Sequence, residues 1–176
     1  AGLTSTDEIW GSDEAAPYLR SVPCKFDEEE PWSSWIVELP WKMLEDRIRE
    51  KGEGTVLRSV TVTRRSESGA ATALEAVSDK DSCIIENEYE IRKFLAPVNC
   101  MITEKDGTET AGGSLLPSAY FELERTQNGN LQVRGKGYGH GVGMSQTGAD
   151  KMAEQGYDYR EILDYFFRNI TVENLG

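Results

Sequence analysis

The stretch AYFELERTQNGNLQVRGKGYGHGVGMSQ, residues 119–146, decides how the fold is read. Residues 119–125 and 131–136 each read as a strand. Between them Asn128-Gly129-Asn130 is a hairpin signal, because Asn and Gly tolerate the left-handed backbone of a tight turn. Glycine then occupies every second position: Gly135, Gly137, Gly139, Gly141 and Gly143. In an extended chain alternate side chains point to opposite faces. One face of such a ribbon would be bare, with Lys136, Tyr138, His140 and Val142 along the other. Glycine weakens a strand, so five in alternation need a reason. Either another backbone or helix packs on the bare side, or a flat ligand approaches it. In the second case backbone amides would donate and Tyr138 would offer a stacking surface for a sugar face. His140 is the chain's one histidine.

Other glycine-rich readings fail on spacing. A phosphate-binding P-loop needs Gly, four residues, then Gly-Lys-Ser/Thr. Gly135-Lys136 is followed by Gly and preceded at the required offset by Asn130. The dinucleotide pattern Gly-x-Gly-x-x-Gly fits no register of the ribbon. Gly143-Met144-Ser145-Gln146-Thr147 lies between a strand and a helix, like a nucleophile elbow, but ends in Thr, and that architecture needs its His downstream. Ser145 is better read as a helix N-cap.

Working outward, residues 34–39 read as a strand in which Trp35, Val37 and Leu39 alternate with polar partners. Pro40 then opens a helix to about Lys51, with Met43, Leu44 and Ile48 on one face. Residues 55–64, marked by Val56, Val60 and Val62, and residues 70–77 read as strands around the turn Glu67-Ser68-Gly69. Residues 86–95 read as an amphipathic helix burying Tyr89, Ile91, Phe94 and Leu95, stopped by Pro97. Residues 98–114 read as a surface excursion.

After the ribbon, Met144, Gly148 and Met152 recur every fourth residue beside Ala149 and Ala153, a helix with a small-residue face ending at Gly156. A last helix over 159–168 would bury Ile162, Leu163, Phe166 and Phe167, and Ile170-Thr171-Val172 would close the chain as a strand. Residues 1–33 read as irregular. Trp35 and Trp41 read as core before carbohydrate platform. Asn169-Ile170-Thr171 matches a glycosylation sequon. The class is α+β: mixed, largely antiparallel strands with several short helices.

At 176 residues the chain suits one domain able to bury a core without staples. Its net charge of −12 argues against nucleic acid, whose phosphates need a basic face, and leaves a neutral polymer such as a glycan compatible. Of Cys24, Cys83 and Cys100, at least one is unpaired; Cys83–Cys100 is a candidate disulfide that sequence does not test. The Cys and His spacing forms no metal motif, so neither metal nor cofactor is expected in this chain.

At the ribbon the sequence resembles the SpoIID/LytB family of sporulation and cell-wall proteins. GKGYGHGVGMSQTGADKMAEQGYDYREILDYFF looks like that family's C-terminal signature. Residues 4–10 and 17–22 resemble its "T…E.W…PYL.SV" segment. Thr63-Arg64-Arg65-Ser66 with Ser68-Gly69 resembles its "TRS.SG" turn, and Leu116-Pro117-Ser118-Ala119-Tyr120-Phe121 the segment before its final hairpin. Thr147 stands where the family often has an aromatic residue, Asp164-Tyr165-Phe166 where His-Tyr-Tyr is frequent, and residues 98–114 look like an insertion.

The resemblance implies a peptidoglycan lytic transglycosylase of sporulation and engulfment that cleaves between N-acetylmuramic acid and N-acetylglucosamine. The family's catalytic Glu lies in an N-terminal Pro-x-x-x-x-Glu-Ala-Leu-Lys-Ala-Gln-type helix. Residues 1–176 are accordingly expected to be the C-terminal part of a single larger SpoIID-type domain, inactive alone, with its own N-terminal segment as a partner. The substrate-binding residues so implied are Tyr138, Gly139, His140, Gly141, Gly143, Met144, Ser145 and Gln146, with His140 as auxiliary catalytic candidate. Expected partners are peptidoglycan glycan strands, a cell-wall amidase and a membrane partner of the engulfment machinery, with no nucleic acid. The expected location is extracytoplasmic, membrane-anchored through an N-terminal segment. The alternative is a non-catalytic glycan-binding or amidase-enhancing module.

Overall fold

A computed structural model describes residues 24–66, 68–167 and 170–173. The family-like segments 4–10 and 17–22, most of the expected irregular start, Glu67 of the turn and Asn169 of the sequon lie outside the described residues. The chain divides into two compact units, Pro31–His140 and Ala1–Glu30 with Gly141–Gly176.

The first unit is α+β, with two antiparallel sheets. The larger contains β1 (Trp35–Leu39), β5 (Met101–Glu104), β6 (Glu109–Ala111), β7 (Phe121–Arg125) and β8 (Leu131–Gly135), in the order β6-β5-β1-β8-β7. The smaller runs β2-β3-β4, from β2 (Leu57–Arg65), β3 (Ala71–Ser78) and β4 (Ser82–Glu86). Two helices accompany them, α1 (Trp41–Glu50) and α2 (Glu88–Phe94).

Alternation sets the faces. Trp35, Val37 and Leu39 of β1 are buried, while Ile36 and Glu38 face water. The inward residues of β1, β5, β7 and β8 join Leu44 and Ile48 of α1, Ile91, Phe94 and Leu95, and Leu57, Val60, Leu74 and Ile85 of the smaller sheet in one core. Each such side chain contributes about 1.5–3 kcal/mol on leaving water. Two polar devices close the helices. Asn87, at φ +63°, caps α2 by accepting from the Glu90 N–H at 2.9 Å. At the other end, the Arg47 guanidinium donates to the carbonyls of Phe94 and Ala96, acceptors a helix terminus leaves unmet.

Several sequence expectations are corrected here. Residues 98–114 hold β5 and β6, and β5 pairs directly with β1 (Trp35↔Glu104, Val37↔Ile102). One inward apolar residue, Ile102, was too weak a pattern to announce that strand. β4 was not anticipated. β2 starts at Leu57 because the N–H groups of Thr55 and Val56 are taken by the Asp79 carboxylate at 2.8 and 2.9 Å. Tyr89 is exposed, and the first-turn position facing inward is Glu88, paired with Arg92 at 3.1 Å.

In the second unit, α3 (Gln146–Glu154) and α4 (Tyr159–Phe166) meet where Phe166 lies against Gly148, and Met152 of α3 is buried. Helix α4 begins with a capping box between Asp158 and Glu161. Of its four expected buried residues only Phe166 is fully covered; Ile162, Leu163 and Phe167 are half-buried. Residues 170–172 form no strand. Phe26 packs edge-on against Tyr157 and Tyr165. Among the described residues no helix is long and apolar enough to cross a membrane.

Candidate functional site

The ribbon is not an extended strip with one bare face. Gly135 ends β8, but Gly137, Gly139, Gly141 and Gly143 have φ of +71°, +113°, +74° and +86°. The chain turns into the left-handed region at every second residue, where a side chain would be strained. A Cβ at Gly137, Gly139 or Gly143 would meet nothing within 4 Å, so no backbone or helix packs on them. Gly135 is the opposite case. It lies across from Trp35 in the sheet, and a Cβ there would run into the indole ring. The alternating pattern therefore combines one close approach with four conformational demands.

Residues 136–139 are held by the segment before the hairpin. The Lys136 N–H donates to the Tyr120 carbonyl at 2.8 Å, and the buried Ser118 hydroxyl donates to the Lys136 carbonyl at 2.6 Å. The Gly139 N–H donates to the Pro117 carbonyl at 2.8 Å, and the Trp35 indole N–H to the Gly137 carbonyl at 2.9 Å. Between these anchors Tyr138 stands 73% exposed. Its ring meets Trp32 edge-on, with centroids 5.0 Å apart and planes at 62°. Trp32 was not singled out in the sequence. It sits in a one-turn 3-10 helix, Pro31–Ser33, which carries no periodicity.

The other family-like motifs of this unit converge on the same clamp. Arg65 donates to the carbonyls of Phe121, at 2.8 Å, and Gly69, at 3.0 Å. The Ser68 hydroxyl lies 3.1 Å from the Tyr120 hydroxyl, and the Ala71 N–H donates to the Ala119 carbonyl at 2.8 Å. From the other direction Arg92 donates to the carbonyls of Leu116, at 2.9 Å, and Pro117, at 3.2 Å. The Pro117 carbonyl thus joins Arg92 to Gly139. Arg92 also carried no sequence signal, since its partner Glu88 reads as an ordinary surface helix residue.

His140 is exposed at the last position of the first unit, and Gly141, Gly143, Met144, Ser145 and Gln146 belong to the second. Met144 is 38% exposed and precedes α3, which Gln146 begins. Ser145 is the N-cap expected: its oxygen accepts the Gly148 N–H at 3.0 Å, and its hydroxyl donates to Asp27 at 2.7 Å. The hydroxyl thus serves as donor to Asp27 and as acceptor for the helix N-terminus. Cys24 lies against Gly148. Burial raises the thiols of Cys24 and Cys100 above their ordinary value and pushes Cys83 up to about 11, with Glu53 adding to the effect there. All three are free thiols in their unreactive form. Among the described residues no cluster of His, Cys, Asp and Glu could hold a metal ion.

A glycine-turned ribbon presenting an exposed tyrosine, clamped by the segment before its own hairpin, defines the class to compare. Residues 21–143 match the family described as Domain of unknown function (DUF8618). Over 171 residues, 97% of this chain and 42% of the relative, the chain is 28% identical to Stage II sporulation protein D of Bacillus amyloliquefaciens. It is 38% identical over 61 residues to the amidase enhancer of Bacillus subtilis, covering 35% of this chain and 8% of that protein. An uncharacterized protein of Brachyspira hyodysenteriae is 41% identical over 71 residues, 40% of this chain and 19% of that protein. The chain belongs to the DUF8618 family, and its similarity to the sporulation proteins D and the amidase enhancer supports the SpoIID/LytB resemblance. It spans at most 42% of the length of these curated relatives.

Proposed function

We propose that this chain builds part of the glycan cleft of a sporulation-related cell-wall protein, a SpoIID-like lytic transglycosylase acting on peptidoglycan. The observation that carries this reading is Tyr138: an aromatic ring held out to solvent beside Trp32, on a backbone with open space next to Gly137 and Gly139. An exposed ring on a fixed backbone suits the apolar face of a pyranose, and a glycine backbone lets a sugar approach N–H and C=O groups closely. Tyr138 and His140 would orient the glycan strand.

In the reaction so proposed, one carboxylic acid protonates the glycosidic oxygen as the bond to N-acetylmuramic acid breaks. The resulting carboxylate takes the proton of the muramyl 6-hydroxyl as that oxygen bonds to its own anomeric carbon. The product is a 1,6-anhydro sugar and no water is consumed, unlike hydrolysis by two carboxylates and a water. Such an acid needs a raised pKa and a partly desolvated place. We assign it to no residue of this chain. The two buried carboxylates Glu88 and Glu104 are engaged, Glu88 with Arg92 and Glu104 with the Thr110 hydroxyl.

The similarity to the amidase enhancer favours a second reading, a glycan-binding module that stimulates an amidase without cutting. On either reading the protein works outside the cytoplasm, at the cell wall, beside an amidase and a membrane partner. Mass spectrometry of peptidoglycan incubated with the complete protein separates the two. Anhydro-muramyl ends are expected for the lyase, and intact but bound strands for the module. Should His140→Ala leave both cleavage and binding unchanged, His140 has no part in the site.

A further inference from the structure

We propose that Trp32 is a second sugar-contacting residue, and that its ring and that of Tyr138 together seat one N-acetylhexosamine unit. This rests on the glycan reading above and adds to it the residue that selects the acetamido group. The two rings meet edge-on at 62° with centroids 5.0 Å apart, so they form an apolar corner. A pyranose offers two apolar features, a face of C–H bonds and, in an N-acetylhexosamine, the acetamido methyl. A single ring covers the face; a corner covers the face and the methyl together.

Both walls are fixed before any ligand arrives. Trp32 packs half-buried against the hydrophobic core, and its turn is tied down by the Lys105 N–H donating to the Pro31 carbonyl at 2.9 Å. Tyr138 is set between the Trp35–Gly137 and Gly139–Pro117 hydrogen bonds. Rigid aromatic walls bind with little loss of side-chain freedom, which is where preorganised sites gain their affinity. The net charge of −12 disfavours a polyanion and does not oppose a neutral sugar.

The test titrates the full 176-residue chain with tetra-N-acetylchitotetraose and with cellotetraose, which lacks the acetamido groups, by calorimetry and tryptophan emission. Trp35 is buried and Trp41 lies under the Arg125 guanidinium at 3.1 Å, so Trp32 is the reporter among the described tryptophans. Trp32→Ala is expected to weaken chitotetraose binding about 10-fold or more, in line with an aromatic stacking contact, and to erase the preference over cellotetraose. Trp32→Phe is expected to keep the affinity within about 3-fold and lose the emission change; its circular dichroism shows that the fold survives. If Tyr138→Ala abolishes binding while Trp32→Ala binds like the parent chain, the glycan reading stands and the role of Trp32 falls. If the parent chain binds neither sugar, the glycan reading falls and this inference with it.

Discussion

Gly135 and Gly139 look interchangeable in the sequence, and the structure holds them for opposite reasons. At Gly135 the backbone is ordinary strand and the space is full, because the Trp35 indole occupies the place of a side chain. At Gly139 the space is open and the backbone is at φ +113°, a region other residues rarely adopt. A glycine repeat read as one device is thus two: a seat for a core tryptophan, then a chain of left-handed turns that carries Tyr138 outward. The tryptophan connects them, since its ring needs Gly135 and its N–H holds the Gly137 carbonyl.

The heaviest blow to the open end should come from Arg92, which touches no glycine. Its carboxylate partner is 6% exposed, and deleting the cation leaves that charge buried and uncompensated, at about 3–5 kcal/mol. Arg92→Ala should therefore show a large drop in urea stability and release the Pro117 carbonyl that receives Gly139. Arg92→Met with Glu88→Gln should recover much of the stability, because the pair is then replaced by neutral groups. Full stability in Arg92→Ala alone would mean the pair does not anchor the clamp.

Next in size is Gly135→Ala. The added methyl strikes a rigid ring that is 1% exposed, so neither side can yield cheaply, and a loss of about 3 kcal/mol is expected. Gly135→Ala with Trp35→Leu should restore part of it by making room. Gly139→Ala should lose less, about 1–2 kcal/mol of backbone strain, and should unfold no contact. Its signature is functional: weaker glycan binding in a protein that still melts cooperatively. Equal losses at Gly135 and Gly139 would erase the distinction between space and conformation.

The same two glycines show how much was readable beforehand. Alternating burial on β1 and the Asn-Gly turn were written in side-chain period and turn chemistry, so β1, β7 and β8 emerged within a residue or two. Trp35 was read as core and is core, and Ser145 was read as a cap and is one. The ribbon misled because a period of two is shared by a strand and by alternating left-handed glycines, and only φ separates them. Trp32 and Arg92 were invisible because their meaning lies in partners about 106 and 25 residues away, which no local pattern encodes. The family-like motifs were legible as motifs, but their convergence on 117–121 required the fold.

The smallest effect is expected in the smaller sheet, at a loop that shares nothing with the ribbon. Asp79 accepts the N–H groups of Thr55 and Val56 and the Thr55 hydroxyl at 2.9 Å, and these bonds hold its carboxyl well below the usual carboxylate range. A carboxylate with a depressed folded-state pKa stabilises the protein above its unfolded value, near 4, and that contribution fades as pH falls through the folded value. Asp79→Asn should therefore lower stability modestly at pH 7 and flatten its decline between about pH 4 and pH 2, measured by urea denaturation across that range. Glycan binding at neutral pH should stay as in the parent chain, because the substitution leaves Trp35, Pro117 and the ribbon untouched. A parallel loss of binding would show that the smaller sheet, and not the clamp at 117–121, governs how Tyr138 is presented.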